Sequence, residues 1–527
     1  MHITSLTAQS YDEIPYDSVP ICESHPGNLG VQAALFGLKP APLQACRVLE
    51  LGCASGGNLI PMAYHLPGAE FLGIDLSAGQ VASGRALVES LGLRNIRIEQ
   101  GDILDLGDIG RFDYVIAHGL YSWVPATVRE RLLALCGQAL APDGVAYISY
   151  NTLPGWRWRS VLRDMLLQFT RDATTPRTRL ARAREALARL EDAFAEQDGA
   201  LPAQLCADVA LLRTRHPSYL YHEYLTDENS PVLFSEFIAQ AGRHGLQYLC
   251  EAELQTMFSD TLGAAGTALV DRFDSLIEQE QCIDFLRLRT FRQTLLCRAD
   301  RAPQRELELE NFARLAYHGL LTPADDPGAN APQVFTSPDG ATRTVQHPLT
   351  QAALRVLAEA YPDALGYEEV ERAAQARVSR DAPVSAAETD HLLAELVTLY
   401  LHQFVGVSAQ PRRFHRQLAQ RPCASRLARA QAGAGIGHVS TVWHMPIGLD
   451  DFAQRFVMYL DGTSTQATLT EQMLDDIVNG RLVLDQPVAD RNALAVMVAE
   501  NCRRLLGTLQ RHGLLQPDAE VAASMSR

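Results

Sequence analysis

The segment Val48-Leu49-Glu50-Leu51-Gly52-Cys53-Ala54-Ser55-Gly56-Gly57-Asn58 constrains this chain more than any other. An apolar run passes into a turn of small residues and then into an amphipathic stretch, the layout of a buried strand, a tight loop and a helix. The same alternation continues downstream. Candidate strands are Arg47 to Leu51, Glu70 to Asp75, Ile96 to Gln100, Phe112 to Ala117 and Val145 to Tyr150. Helical patterns fill Gly56 to Leu66, Gly79 to Leu91 and Ala126 to Leu140, the last opened by Pro125 and closed by Pro142, Asp143 and Gly144. Strands alternating with helices predict an α/β fold with a parallel, Rossmann-like sheet.

After Arg157 the composition shifts to Ala, Arg, Leu and Glu, and Arg177 to Glu196 has helical periodicity. Phe234 to Leu249 reads as a helix, a stop at Gly245 and an apolar strand, and Arg292 to Arg298 as another strand. These late strands are expected to complete the sheet, which makes 157–230 a helical excursion placed to act as a lid. From about residue 301 the pattern is mostly helical, broken by loops at Thr322 to Pro332 and Ser379 to Ala387. Three helical patterns followed by a short strand at Leu401 to Val407 suggest a winged-helix plan. The expected division is 1–170 for the Rossmann-like domain, 171–300 for the lid and sheet-completing segment, and 301–527 for a mostly helical C-terminal domain. A chain of 527 residues has room for all three.

The 62 acidic and 46 basic residues give a net charge of -16, which disfavours binding to nucleic acid. The stretch Leu396 to Leu449 lacks Asp and Glu but contains Arg412, Arg413, Arg416, Arg421, Arg426 and Arg429; docking onto this chain's own acidic surface is the favoured reading. Lys39 is the only lysine, so lysine-based catalysis by this chain is disfavoured. Ten cysteines with no CxxC pair suggest reduced thiols and no metal site. No leader pattern and no run of 18 apolar residues is present, so a cytoplasmic protein without membrane insertion is expected.

Small residues at 52, 54, 56 and 57 let a ligand approach the backbone closely. The turn alone fits either a dinucleotide or S-adenosylmethionine. Glu50 separates them, because a carboxylate there would face the ammonium of a methionine moiety and repel a pyrophosphate. Asp75 ends the second strand, where an acid can accept both ribose hydroxyls, and Asp102 follows the third, placed for an adenine amino group. The competing reading is that these acids cap the turns that follow them. The fourth strand runs into His118-Gly119-Leu120-Tyr121-Ser122-Trp123, and the fifth into Ser149-Tyr150-Asn151 and on to Trp156. His118 is the candidate base by its ordinary pKa, or else a histidine holding the turn. Tyr121, Tyr150 and Asn151 are candidates to orient an amine or hydroxyl. Trp123 and Trp156 either line the acceptor pocket or are structural aromatics. The fourth strand end lacks an Asn/Asp-Pro-Pro-Tyr/Phe tetrapeptide, which disfavours nucleobase methylation. His222 and Glu223 are read as structural.

The blocks YDEIPY (11–16), His25-Pro26, LELGCASGGNLIPMA, GIDLS, FDYVIAHGLYSWVP and SYNTLPGW resemble bacterial class I methyltransferases that carry a methyltransferase regulatory domain. Tyr219 to Leu225, FSEFIAQAGRHGLQYLCEAE, FRQTLLCR and the Arg421-Pro422 region with LARAQA extend the resemblance over most of the chain. The resemblance implies S-adenosylmethionine contacts from Tyr16, Glu50, Gly52, Ala54, Gly56, Asp75, Leu76, Asp102 and His118. Asn58, Gln80 and Ile103 complete the expected cofactor set. Ala54 departs from the family's frequent glycine. Some members methylate lysines of bacterial outer-membrane proteins, so a protein lysine is the expected acceptor. A small-molecule O- or N-methyltransferase and a cofactor-sensing, nucleic-acid-binding regulator are the alternatives, and a homodimer is left open.

Overall fold

The computed structural model describes residues 13–14, 18–324, 331–378, 385–484 and 490–517. They form two compact units, one from 38–86 and 94–303 with the residues up to 18, the other from 19–37, 87–93 and 304 onward.

The first unit is built on a seven-stranded sheet: β1 (Arg47–Leu51), β2 (Glu70–Asp75), β3 (Ile96–Gln100), β4 (Phe112–Ala117), β5 (Leu140–Asn151), β6 (Leu246–Glu251) and β7 (Phe291–Arg298). The order is β3-β2-β1-β4-β5-β7-β6. Neighbours from β3 to β5 run parallel, while β7 is antiparallel to both β5 and β6. β1, β2 and β4 are buried along almost their whole length, which explains why they read as continuous apolar runs rather than alternating ones. Strand order reverses between β1 and β4, so the loops leaving these two strands flank a crevice at their carboxyl ends.

β5 differs from the sequence expectation. The helix before it ends at Ala139 and the strand begins at Leu140, five residues earlier than the apolar run, so Pro142, Asp143 and Gly144 lie inside the strand. Phe112 pairs with Leu140 and Tyr114 with Val145, leaving extra residues bulged on β5. Arg111 holds the bulge by donating from Nη1 to the carbonyls of Gln138 and Leu140, the latter at 3.1 Å.

Between β5 and β6 the chain forms the helices Gly155–Thr170, Pro176–Ala195, Ala200–Arg213 and Pro217–Tyr224. They share a core of Leu162, Leu166, Ala183, Leu187, Val209, Leu212 and Leu220. The insert rejoins the sheet where the Leu153 N–H donates to the Val232 carbonyl at 3.0 Å.

In the second unit, strand Ala316–His318 lies between Leu365–Gly366 and Gly406–Ser408, beside the helices Pro348–Ala360, Tyr367–Arg377 and Ala386–Leu401. A hairpin, His438–Ser440 with Pro446–Gly448, then accompanies the helices Arg426–Gly433, Asp451–Tyr459, Gln466–Val478 and Arg491–Arg511. The side chains of Ala428, Phe456, Val457, Leu469, Met473, Val498 and Leu506 form their core. In the arginine-rich stretch, Arg413 pairs with Glu369 at 2.6 Å and the Arg412 guanidinium lies over both Phe414 and Trp443. No described helix is long and apolar enough to cross a membrane.

Candidate functional site

The loop after β1 turns through three left-handed residues, Gly52 at φ +76°, Ala54 at +47° and Gly56 at +76°. Ala54 is the strained one, because its Cβ makes this conformation cost about 1–2 kcal/mol. Asp75 at the end of β2 holds it in place: Oδ2 accepts the Ala54 N–H at 2.8 Å, while Oδ1 accepts the Ser77 N–H at 2.9 Å. Gly57 has no room for a side chain, since a Cβ there would fall 1.9 Å from the Ser18 carbonyl oxygen. Its N–H donates to Ser18 Oγ at 2.8 Å.

Glu50, on β1, is 3% exposed. Oε1 accepts from Asn58 Nδ2 at 2.8 Å, and Oε2 is buried with no hydrogen-bond partner among the described residues. Burial, opposed by the Asn58 bond and reinforced by the charge of Asp75, raises its pKa to about 8. Gln80 is 8% exposed, and its Nε2 is likewise buried without a partner among the described residues. A buried acceptor and a buried donor left unmatched are each costly unless a ligand pairs with them. A group carrying an ammonium, hydroxyls and ring nitrogens fits this donor and acceptor set.

The other expected cofactor residues have mixed placements. Leu76 gives its carbonyl to Gln100 Nε2 at 3.2 Å. Asp102 accepts the Leu104 N–H at 2.9 Å and so caps the turn Ile103–Asp105, the capping role weighed against a ligand role. Ile103 is partly buried against the sheet's core. Tyr16 lies outside the described residues.

At the end of β4, His118 Nδ1 lies 2.9 Å from the Tyr147 hydroxyl, and the edge of Phe291 is 6.1 Å away between ring centroids. Burial lowers the His118 pKa to about 4, so the ring is neutral at pH 7. The turn beside it is tied down by Ser149 Oγ, which accepts the Gly119 N–H at 2.7 Å. Asn151 is buried, donates its N–H to Ser122 Oγ at 2.8 Å, and donates from Nδ2 to Asn229 Oδ1 at 3.2 Å. Trp123 and Trp156 meet edge-on at 6.3 Å, with the Tyr224 ring 6.4 Å from that of Trp156 and the Arg159 guanidinium over the Trp156 ring.

Two of the four candidate catalytic residues belong to the core instead. Tyr121 packs edge-on against Phe237, and its hydroxyl donates to Gln240 Oε1. Tyr150 stacks on Phe237 at 4.1 Å and bonds Thr294 Oγ1 at 3.0 Å. Burial drives both phenols above their ordinary range, Tyr121 to about 12. The reason is the period of two along β5: Ile148 and Tyr150 face the apolar core, whereas Tyr147, Ser149 and Asn151 share the other face. Tyr147 and Ser149 thus support His118 and its turn, and both were missed in sequence. Their alternation with Ala146, Ile148 and Tyr150 was the available signal.

Tyr150 also ends a buried polar chain. Thr294 Oγ1 donates to Glu251 Oε1 at 2.9 Å, and Arg292, 1% exposed, binds Glu251 at 2.6 Å, Glu280 at 2.9 Å and Asp284 at 2.8 Å. His222, read as structural, bonds the Ile14 carbonyl at 2.7 Å.

Three family models match this chain: a methyltransferase domain over residues 48–144, a predicted methyltransferase regulatory domain over 216–298, and the PKMT C-terminal winged helix domain over 420–514. The winged helix domain lies downstream of the helices and strand at 348–408 that suggested such a plan. The chain is 30% identical over 490 residues to uncharacterized protein RP789 of Rickettsia prowazekii, covering 90% of this chain and 87% of the relative. It belongs to that methyltransferase family. A second Rickettsia prowazekii relative, uncharacterized protein RP028, is 34% identical over 241 residues, 46% of this chain and 96% of its own. A solved structure of PKMT2 from Rickettsia typhi in complex with AdoHcy has 26% identity and a TM-score of 0.84, covering 95% of this chain and all of that one. The chain is accordingly an S-adenosylmethionine-dependent methyltransferase with a Rossmann-like catalytic domain and a C-terminal winged helix domain.

Proposed function

We propose that this methyltransferase acts on the ε-amine of lysine side chains in a protein substrate. The observation that carries the reading is the likeness to PKMT2, a protein lysine methyltransferase, which runs the length of both chains and includes the PKMT winged helix domain. In this reading Glu50, Asn58 and Gln80 hold the methionine end of the cofactor, and the left-handed loop at 52–56 lets the backbone come close to it. Asp75 fixes that loop and stands at the strand end where an acid accepts ribose hydroxyls.

Bound S-adenosylmethionine supplies an electrophilic methyl group on a sulfonium. The chain's own part is to present a neutral amine in line with it and to keep competing water out. His118 is too weak a base, with its pKa near 4, to hold a proton at neutral pH. Its role is to orient the acceptor while Tyr147 fixes its ring. Phe291 and Trp123 supply apolar walls for a four-carbon lysine stem, and the displaced proton leaves to solvent.

The test is to incubate the purified chain with methyl-labelled S-adenosylmethionine and lysine-rich proteins, then map the label by mass spectrometry. The expected result is label on acceptor lysines, none with acceptors whose lysines have been acetylated, and weaker labelling from a Glu50→Gln variant at subsaturating cofactor. Because Lys39 is this chain's only lysine, self-labelling is confined to one assignable position. Label confined to other residue types, or to small molecules, would overturn the lysine reading and leave methyl transfer standing.

A further inference from the structure

His347, His391 and Glu395 in the second unit each offer a ligand atom, and these atoms all lie within 4.8 Å of one another. They converge from two elements. His391 and Glu395 sit one turn apart on the Ala386–Leu401 helix and so share a face, with His391 Nε2 3.6 Å from Glu395 Oε2. His347 occupies the N-cap position of the Pro348–Ala360 helix but makes no side-chain capping bond. Its ring centroid is 4.8 Å from that of His391.

We infer that this cluster is a binding site for a first-row divalent cation, zinc above all. An ion pair between His391 and Glu395 accounts for two of the residues and leaves the third unexplained. His347 Nδ1 is buried and has no hydrogen-bond partner among the described residues. An imidazole nitrogen buried without a partner is an open position for a Lewis acid. Glu395 is also held in place, since Oε2, the oxygen nearest His391, accepts the Thr350 hydroxyl and leaves Oε1 for a cation.

Two imidazoles and one carboxylate are the ligand types zinc takes, whereas magnesium and calcium prefer all-oxygen sets. Bonds of about 2.0–2.2 Å in a tetrahedron place ligand atoms roughly 3.3–3.5 Å apart. Closing from at most 4.8 Å needs only side-chain rotation, and His391, half exposed, is free to make it. The exposed side leaves a fourth position for water. Such an ion would clip the start of one helix to the middle of another across the 43 residues between His347 and His391, and so tie down this part of the unit. No pairing by sequence motif could show it, because the third ligand is so distant in the chain.

The full-length protein, stripped with a chelator and dialysed, is titrated with zinc chloride by calorimetry and with cobalt(II) while visible absorption is recorded. We expect one tight zinc equivalent, cobalt d–d bands of tetrahedral type, and a higher Tm with zinc. His391→Ala and Glu395→Gln, both at partly exposed positions, should each weaken that equivalent at least about tenfold and abolish the Tm rise. His402→Ala, an exposed histidine just past the end of the same helix, should change neither. Wild-type affinity in both cluster variants, an equal loss in His402→Ala, or no zinc binding above that of the cluster variants would each overturn the assignment. Because the ten cysteines are thiols rather than disulfides, any zinc they take is counted by what the cluster variants retain.

Discussion

Replacing Glu50 with glutamine should make the ligand-free protein more stable and the same protein a worse binder of S-adenosylmethionine. Burial raises the Glu50 pKa from its ordinary 4.5 to about 8. The folded chain therefore holds a proton that the unfolded chain releases, and stability falls as pH rises from about 4.5 towards 8. At pH 7 the difference of about 2.5 pKa units corresponds to roughly 3 kcal/mol. Glutamine keeps the acceptor for Asn58 Nδ2 and carries no titrating group, so Glu50→Gln should raise Tm by several degrees at pH 7 and by much less at pH 5. Binding moves the other way. A charge-assisted bond from the carboxylate to the cofactor's ammonium is worth about 1.5–3 kcal/mol, so its loss should weaken affinity roughly 10- to 150-fold.

The same pKa makes the event visible as a proton. With a value about one unit above the working pH, about 0.9 of the ligand-free molecules carry the Glu50 proton at pH 7, and pairing with an ammonium expels it. Calorimetric titrations at pH 7 in buffers of different ionisation heat should give a slope close to one released proton for the wild type and close to zero for Glu50→Gln. Heats independent of buffer in the wild type, or affinities within twofold of each other, would refute the assignment of Glu50 to the ammonium.

Four further outcomes follow from the same geometry. Arg292→Met leaves Glu251 and Glu280 buried without their cation and Asp284 with Arg289 alone, and thermal melts should show a loss on the order of 3–5 kcal/mol; a Tm within 2 °C of wild type would contradict the network's importance. Gly57→Ala should cut cofactor affinity at least about tenfold by driving Ser18 away, whereas Gly107→Ala, where a Cβ meets nothing within 4 Å, should bind normally in the same calorimetric assay. His118 stays neutral from pH 6 upward, so His118→Asn should lower kcat without removing any acidic limb near pH 6.5 from the kcat/KM profile; a limb that vanishes in the variant would restore His118 as the base. Tyr150→Phe should leave turnover within about threefold while lowering Tm, and a large loss of turnover at unchanged Tm would return Tyr150 to the active site.

What was legible in the sequence was whatever depends on neighbours along the chain. The strands β1 to β4 and the turn after β1 are set by local patterns, and Glu50 and Asp75 sit in those patterns, so their place at the strand ends beside that turn was readable along the chain. The tyrosines show where that reasoning stops. Tyr121, Tyr147 and Tyr150 are equivalent as letters near strand ends, but a one-residue step along β5 exchanges its two faces, and only the pairing of β5 with β7 fixes which face meets Thr294 and which meets His118. Asp102 marks a second limit, because a strand-end acid that caps the next turn and one that meets a ligand have the same local sequence. The Arg292 cluster is a third. Its acids come from β6 and from the Leu276–Arg287 helix, and each alone reads as an ordinary surface charge. It is the antiparallel return of β7 between β5 and β6 that gathers them around one guanidinium and links that guanidinium, through Glu251 and Thr294, to Tyr150. The same return places Phe291, at the start of β7, against His118. In the proposed reading one late strand thus carries both the buried charge that anchors the sheet and a wall of the acceptor side, so substitutions in β7 should couple stability to turnover more strongly than substitutions in β3, at the opposite edge.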